Sequence, residues 1–178
     1  MLSLNKILGF LTILAFVMLF VECDRGGGGN PFQNPSVYKE PLIKANKDVA
    51  RTENEQIDDF IRRHHWNMMT TETGLRYMIT KKGIGAKAVE GRTVKLAYTL
   101  SLLSGDTVYT ALKDGPIVFQ IGKGQVITGL EEAILLLKVG DQAKFIIPSH
   151  LAFGLIGDQK KIRQKASLVY DIEFISMY

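Results

Sequence analysis

Apolar residues at every second position are the feature that most constrains how this 178-residue chain can fold. In residues 94–102, Val94, Leu96, Tyr98 and Leu100 alternate with polar or small residues, which is typical of a strand with one buried face. The same alternation recurs in residues 75–79, 143–147 and 168–174, and shorter strand-like segments lie at 107–110 and 117–121. The sequence therefore predicts a fold in which strands dominate.

Two segments have helical spacing instead. The apolar residues of 127–137 mark one face of a short helix, which Lys138 and Gly140 end. Before the first strand, Thr52 and Glu55 have the form of a capping box, and an amphipathic helix is predicted over residues 53–66. We therefore predict an α+β fold: an antiparallel half-barrel sheet wrapped around one short α-helix, with an extra N-terminal helix within residues 51–70.

The first 22 residues have the pattern of a secretory signal peptide. Lys6 supplies a positive start, and residues 7–21 are apolar or small. This run is shorter than the roughly 20 apolar residues that a spanning helix needs. Cys23 directly after it resembles the lipidation site of bacterial lipoproteins, although Phe20, Val21 and Glu22 are not the small residues that site prefers. An uncleaved anchor and a cleaved soluble protein are the alternatives.

Residues 23–50 are predicted to form a lipidated N-terminus followed by a flexible linker. Four consecutive glycines at 26–29, then Pro31 and Pro35, provide too little apolar material for packing. As a coil this segment spans roughly 30 Å, enough to hold a domain clear of lipid headgroups. Basic residues such as Lys39 and Lys44 could touch anionic lipid, or simply be solvated.

The composition excludes several kinds of chemistry. A formal charge of +4 with 22% charged residues does not indicate nucleic-acid binding, and a single cysteine allows no internal disulfide. His64 and His65 are adjacent and face different directions on a helix, so they cannot chelate one metal ion. No nucleophile-elbow serine and no phosphate loop is found in the sequence. The pattern favours a reaction that needs no nucleophile, metal or cofactor.

Three ordered motifs carry a family resemblance: FQIGKGQVITGLEE at 119–132, VGDQAKFIIPSHLAFG at 139–154 and SLVYDIEF at 167–174. Together they resemble the FK506-binding-protein (FKBP) domain, a peptidyl-prolyl cis/trans isomerase, over about residues 74–178, and we place the isomerase domain at residues 71–178. The segment RRHHWNM and the loop FGLIGDQKKI look like the lipoprotein branch found in Bacteroidetes, which includes gliding-motility isomerases.

This resemblance implies a set of pocket residues. Tyr98 stands at the aromatic wall, Val126 and Ile127 at the floor and the ligand-bonding edge, and Ile162 at the rim. Phe153 replaces the family's pocket tyrosine, and Tyr170 replaces a floor phenylalanine. Five further positions also differ from the usual pattern: Val108 and Tyr109 for a Phe-Asp pair, Ile117 for a lining phenylalanine, Gln125 for a glutamate, and Leu130 for a floor tryptophan.

The resemblance implies an isomerase that assists the folding of exported or envelope proteins, with proline-containing polypeptides as substrates and no cofactor. It would be tied to a bacterial membrane through Cys23, facing the periplasm or the cell surface. Tyr109, Phe153 and Gln125 motivate an alternative: a catalytically weak or inactive polypeptide-binding or scaffold lipoprotein of an envelope complex, for example one that serves motility.

Overall fold

The computed structural model describes residues 35–178, with side chains from residue 39. The chain divides into two units, 1–45 and 46–178. Of the first unit, the described residues 35–45 are helical. The predicted signal peptide, Cys23 and the first part of the predicted linker lie outside the described residues. In the described part of the chain, no helix is both long enough and apolar enough to cross a bilayer.

Three α-helices, seven strands and one 3-10 turn make up the described fold. In chain order they are α1 (Pro35–Arg63), β1 (Met69–Thr70), β2 (Arg76–Lys81), β3 (Thr93–Leu102), β4 (Thr107–Thr110), α2 (Ala111–Asp114), β5 (Ile117–Gln120), α3 (Thr128–Leu135), β6 (Gln142–Ile147), the 3-10 turn (Ser149–Leu151) and β7 (Leu168–Met177). The six strands predicted from the sequence are all present, with ends shifted by at most three residues.

The sheet is antiparallel throughout, in the order β1-β2-β6-β7-β3-β4. The long strand β3 pairs along one edge with two short strands: β5 opposite residues 93–96 and β4 opposite residues 99–101. Together with α3 this arrangement confirms the predicted α+β half-barrel around a short helix.

Helix α1 begins well before the predicted residue 53. Residues 35–50, predicted as linker, are helical, and Thr52 lies inside the helix, where its hydroxyl donates to the Asp48 carbonyl at 3.0 Å instead of capping a terminus. Two features explain the difference: no glycine follows residue 29 until 74, and a proline at a first helical position has its backbone already set for a helix. The helix ends at Arg63, before the predicted Trp66, and His65 has a positive φ of 54°.

The concave face of the sheet holds the main core. Alternate residues of β3, β6 and β7 point toward α3, and Leu96, Phe145 and Phe174 are fully buried there. Gly129, in the first turn of α3, allows the close approach, because a Cβ at this position would lie 2.4 Å from Ile147 Cγ2. The start of α3 is thus held against β6, where the hollow described below begins.

The convex face is covered by α1. Ile57 and Phe60 pack against Ile146 and Val169 in a second apolar cluster. Polar contacts surround it: the Glu53 carboxylate accepts hydrogen bonds from Ser149 N at 2.7 Å and from the Ser149 and Ser167 hydroxyls. This half of α1 is therefore an integral part of the domain.

Candidate functional site

A cavity of about 400 Å³ opens on the concave side, where the short helix α3 leaves the sheet uncovered. This volume lies within the roughly 300–1,000 Å³ range of small-molecule pockets. We call the cavity the hollow, and it is lined by Ile117, Gly124, Gln125, Val126, Ile127, Leu130, Phe153 and Tyr170. Seven of the eleven positions predicted from the resemblance therefore meet around one space, together with Gly124, which the sequence reasoning did not single out.

The segment between β5 and α3 forms one side of the hollow. Gly122 and Gly124 have φ values of 81° and 62°, so the chain turns sharply there. Gln125 fixes the turn through its side-chain oxygen, which accepts a hydrogen bond from Gln120 N at 2.8 Å. Val126 and Ile127 are thereby held at the mouth, so the predicted Gln125 acts here as a scaffold for its neighbours.

Ile127 is the N-cap of α3, and its carbonyl accepts from Leu130 N at 2.9 Å. Its own amide has no acceptor within hydrogen-bond distance among residues 35–178. A free N–H at the edge of an apolar cavity can donate to a ligand carbonyl.

Leu130 and Tyr170 form the floor of the hollow. Their side chains are 1% and 4% exposed. Tyr98 packs against this floor, with its ring centroid 6.1 Å from that of Tyr170. Tyr98 is not among the residues that line the hollow, and its place in the aromatic wall stays a prediction.

Phe153 also lines the hollow and belongs to the loop between the 3-10 turn and β7. We call residues 153–165 the rim loop. Its ends are closed by a backbone hydrogen bond of 2.7 Å from Lys165 N to the Gly154 carbonyl.

Asp158 organises the rim loop and ties it to β4. One carboxylate oxygen accepts from three successive loop amides, those of Lys160, Lys161 and Ile162, at 2.9, 2.9 and 2.7 Å. The other oxygen accepts from the Tyr109 hydroxyl at 2.5 Å. Lys161 adds a second tie, since its ammonium donates to the Val108 carbonyl at 3.1 Å and lies 4.7 Å from the centre of the Tyr109 ring.

The three other predicted residues outside the hollow belong to this tie. Val108 and Tyr109 are half-buried against the core, and Ile162 is 3% exposed and packs into it. They pack beside the rim loop and are not among the residues that line the hollow, so their part in the pocket stays a prediction. The sequence reasoning missed Asp158, although an aspartate directly after a glycine is a turn signal whose side chain bonds to amides two residues on.

The pKa values of the ionisable groups around the hollow are shifted by burial and by their hydrogen bonds. Burial alone would raise the pKa of Asp158, but the hydrogen bonds from Tyr109 and the loop amides outweigh it and lower that pKa below its usual value. The bond to Asp158 raises the pKa of Tyr109 to about 12. Burial, and to a smaller extent Tyr98, raises the pKa of Tyr170 well above the ordinary value. Near neutral pH these tyrosines are hydrogen-bond donors, not anions.

A second depression, of about 580 Å³, lies along α1 and is lined by Gln56, Asp59, Arg62, Arg63, Leu103 and Ser104. Charged, solvated side chains dominate this lining. It offers little desolvation, so the hollow is the better candidate site.

Comparison with known families agrees with this geometry. A sequence model of the FKBP-type peptidyl-prolyl cis-trans isomerase family matches residues 85–175. A probable FKBP-type peptidyl-prolyl cis-trans isomerase, FkpA, from Neisseria meningitidis serogroup B is 34% identical over 139 residues, which are 76% of this chain and 50% of that protein. The isomerase FPR2 of Saccharomyces cerevisiae is 36% identical over 108 residues, covering 60% of this chain and 80% of the relative.

Solved structures give the same result. The crystal structure of AtFKBP13 matches with a TM-score of 0.60 and 29% identity, over 63% of this chain and 99% of the other. That of FkpA from Escherichia coli matches with a TM-score of 0.63 and 25% identity, over 99% and 73%. The chain belongs to the FKBP-type peptidyl-prolyl cis-trans isomerase family. It spans about half the length of several curated relatives it matches, including those from Neisseria and Aeromonas.

Proposed function

We propose that this protein catalyses the cis/trans isomerisation of Xaa-Pro bonds in polypeptides. The observation that carries the proposal is the open apolar hollow walled by Val126, Ile127, Leu130, Phe153 and Tyr170, in a chain that belongs to an isomerase family. The substrate class is a polypeptide segment whose proline ring enters the hollow.

The reaction makes modest chemical demands. Rotation about the amide meets a barrier of about 18–20 kcal/mol because resonance favours the planar forms. The twisted transition state has lost this conjugation and with it much of the charge separation between oxygen and nitrogen. An apolar cavity therefore favours the twisted form over the planar one, and each tenfold in rate needs about 1.4 kcal/mol of such differential stabilisation.

The free amide of Ile127 would orient the substrate. Donation from this N–H to a carbonyl of the bound segment would keep the chain in place while the bond on the other side of the proline ring turns. No group in this scheme gives or takes a proton, and the hydrogen-bonded pair of Tyr109 and Asp158 serves to hold the shape of the rim loop.

A bulky side chain in the hollow would leave no room for a proline ring, and Tyr109 and Leu155 are the two nearby candidates. The Tyr109 hydroxyl is bound to Asp158 at 2.5 Å, and Leu155 is 70% exposed. Neither lines the hollow. This arrangement supports the reading of an active enzyme despite Leu130 and Phe153.

The setting of this activity is also part of the proposal. Lys6, the apolar residues 7–21 and Cys23 favour an exported lipoprotein of a bacterial envelope that assists the folding of exported proteins, in the branch with gliding-motility isomerases. Mass spectrometry of the mature N-terminus would test this: a diacylglyceryl group on Cys23 is expected, and an unmodified N-terminus elsewhere would contradict it.

A second candidate is a polypeptide-binding or scaffold protein without catalysis. It is favoured by Leu155 and Ile156, which are 70% and 72% exposed on the rim loop beside Phe153 and could hold an apolar client segment.

A protease-coupled assay with prolyl peptides separates the two. The purified chain should accelerate isomerisation, most for peptides with an apolar residue before proline. A folded sample that binds these peptides but leaves the rate at its uncatalysed value, whatever residue precedes proline, would leave only the binding function.

A further inference from the structure

The hydroxyl of Tyr170 has no partner within the protein. Tyr170 is 4% exposed, and within residues 39–178 no hydrogen bond joins its Oη to a side chain or to the backbone. The Tyr109 hydroxyl, by contrast, is fixed on Asp158. Buried tyrosine hydroxyls usually find a partner, because burying an unpaired one is unfavourable.

The position of the Tyr170 ring indicates which space its hydroxyl can reach. No side-chain oxygen or nitrogen in the described part of the chain is both fully enclosed and unpaired, so the Tyr170 hydroxyl keeps some accessible surface. The cavity that Tyr170 lines is the hollow. Tyr170 thus brings a hydroxyl donor to the floor of a space whose other lining side chains are apolar except for Gln125.

A second aromatic residue of the lining differs in the complementary way. Phe153 stands where the family resemblance places a tyrosine, and Tyr170 stands where it places a phenylalanine. Among the residues that line the hollow, Tyr170 therefore carries the aromatic hydroxyl.

We propose that Tyr170 is a catalytic residue whose hydroxyl donates a hydrogen bond to the prolyl nitrogen of the substrate while the Xaa-Pro bond is twisted. This inference rests on the proposed isomerase function and assigns a role within it.

The chemistry of the imide supports this role. In the planar ground state the nitrogen lone pair is delocalised into the carbonyl and accepts hydrogen bonds poorly. On twisting, the lone pair localises on nitrogen, which becomes an acceptor. A hydroxyl placed there bonds to the transition state and not to the ground state, so it lowers the barrier without tightening substrate binding. The apolar surroundings strengthen such a bond.

Tyr170→Phe removes only this hydroxyl. We expect kcat to fall about tenfold with KM unchanged, corresponding to ~1.4 kcal/mol of lost transition-state stabilisation. Because the hydroxyl is unpaired in the free protein, the variant should unfold at the same urea midpoint as wild type or at a higher one.

Tyr77→Phe is the matched control. Tyr77 on β2 lies in the same row of the sheet, since it pairs with Phe145 and Phe145 pairs with Tyr170, but it does not line the hollow. Its kcat and KM should equal those of wild type.

The wild-type rate is measured first, because an inactive wild-type protein would contradict the proposed function itself. With an active wild type, three results would overturn the role of Tyr170 alone. These are an unchanged kcat in Tyr170→Phe, a rise in KM at constant kcat, and a marked loss of stability that reveals an internal partner for the hydroxyl.

Discussion

The two faces of the sheet are both covered by a helix, yet one face is closed and the other is open. On the convex face, Ile57 and Phe60 of α1 are 0% and 4% exposed, and Glu53 binds two serines at the edge. On the concave face, α3 spans only eight residues and leaves the hollow at its N-terminal end. A helix that covers its sheet face fully, as α1 does, contributes stability. A helix that covers only part of the face, as α3 does, leaves a cavity that can bind a ligand.

The largest expected effect is on the closed face. Ile57→Ala should lower the free energy of unfolding by about 2–4 kcal/mol, because it leaves a cavity between α1 and the sheet. The kcat of the folded fraction should not change, since Ile57 lies on the opposite side of the sheet from the hollow. Urea unfolding and the isomerase assay measure both quantities. A large loss of kcat in fully folded Ile57→Ala would break the separation of the two faces.

A substitution in the wall of the hollow should lower activity more than stability. Phe153→Ala is expected to lower kcat/KM about 10- to 100-fold, equivalent to ~1.4–2.7 kcal/mol, because it admits water beside the twisted bond. Its stability should fall less than that of Ile57→Ala, since Phe153 is only half-buried. Leu112→Ala, at a position 95% exposed, is the matched control and should keep full activity. Equal kcat/KM in Phe153→Ala and wild type would contradict the assignment.

A smaller, pH-dependent effect is expected when the hydrogen bonds of Asp158, which join the rim loop to β4, are lost. The pKa of Asp158 is lowered in the folded protein, so its contribution is present above the unfolded pKa of about 3.9 and is lost as the pH falls through the folded value. The groups facing its carboxylate are the hydroxyl of Tyr109, which stays protonated, and the backbone amides of Lys160, Lys161 and Ile162. The Ile162 amide resonance should therefore be constant from neutral pH to about pH 5 and shift below about pH 4.

Asp158→Asn should shift the Ile162 amide resonance at neutral pH and raise KM a few-fold by loosening the wall that carries Phe153. The control is Asp106→Asn, whose carboxylate accepts a similar bond of 2.7 Å from the Ser104 hydroxyl, in the β3–β4 turn. A rim loop with the same resonances in wild type and Asp158→Asn would show that this carboxylate does not hold it.

The sequence predicts the sheet well because a period of two, as in Val94, Leu96 and Leu100, depends on which face is buried and hardly on distant residues. The residues of the hollow are predicted through the family resemblance, whose first motif contains the adjacent Gln125, Val126 and Ile127. Both belong to short segments whose shape is locally determined.

The rest depends on contacts between distant residues. The Tyr109 side chain is held by a hydrogen bond to Asp158, which lies 49 residues later in the chain. No local sequence pattern indicates this pairing. The early start of α1 at Pro35 is hidden in the sequence, because the glycines at 26–29 and Pro31 just before it are typical of a linker. The two-residue strand β1 is too short for any periodicity to indicate it.

The most direct test of the open concave face is magnetisation exchange between the cis and trans resonances of a proline peptide with a small amount of the purified protein. Exchange should become fast enough to observe in wild type and in Ile57→Ala, and should weaken in Phe153→Ala. If folded wild-type protein leaves the exchange as slow as in buffer alone, the hollow does not catalyse isomerisation and the central claim is wrong.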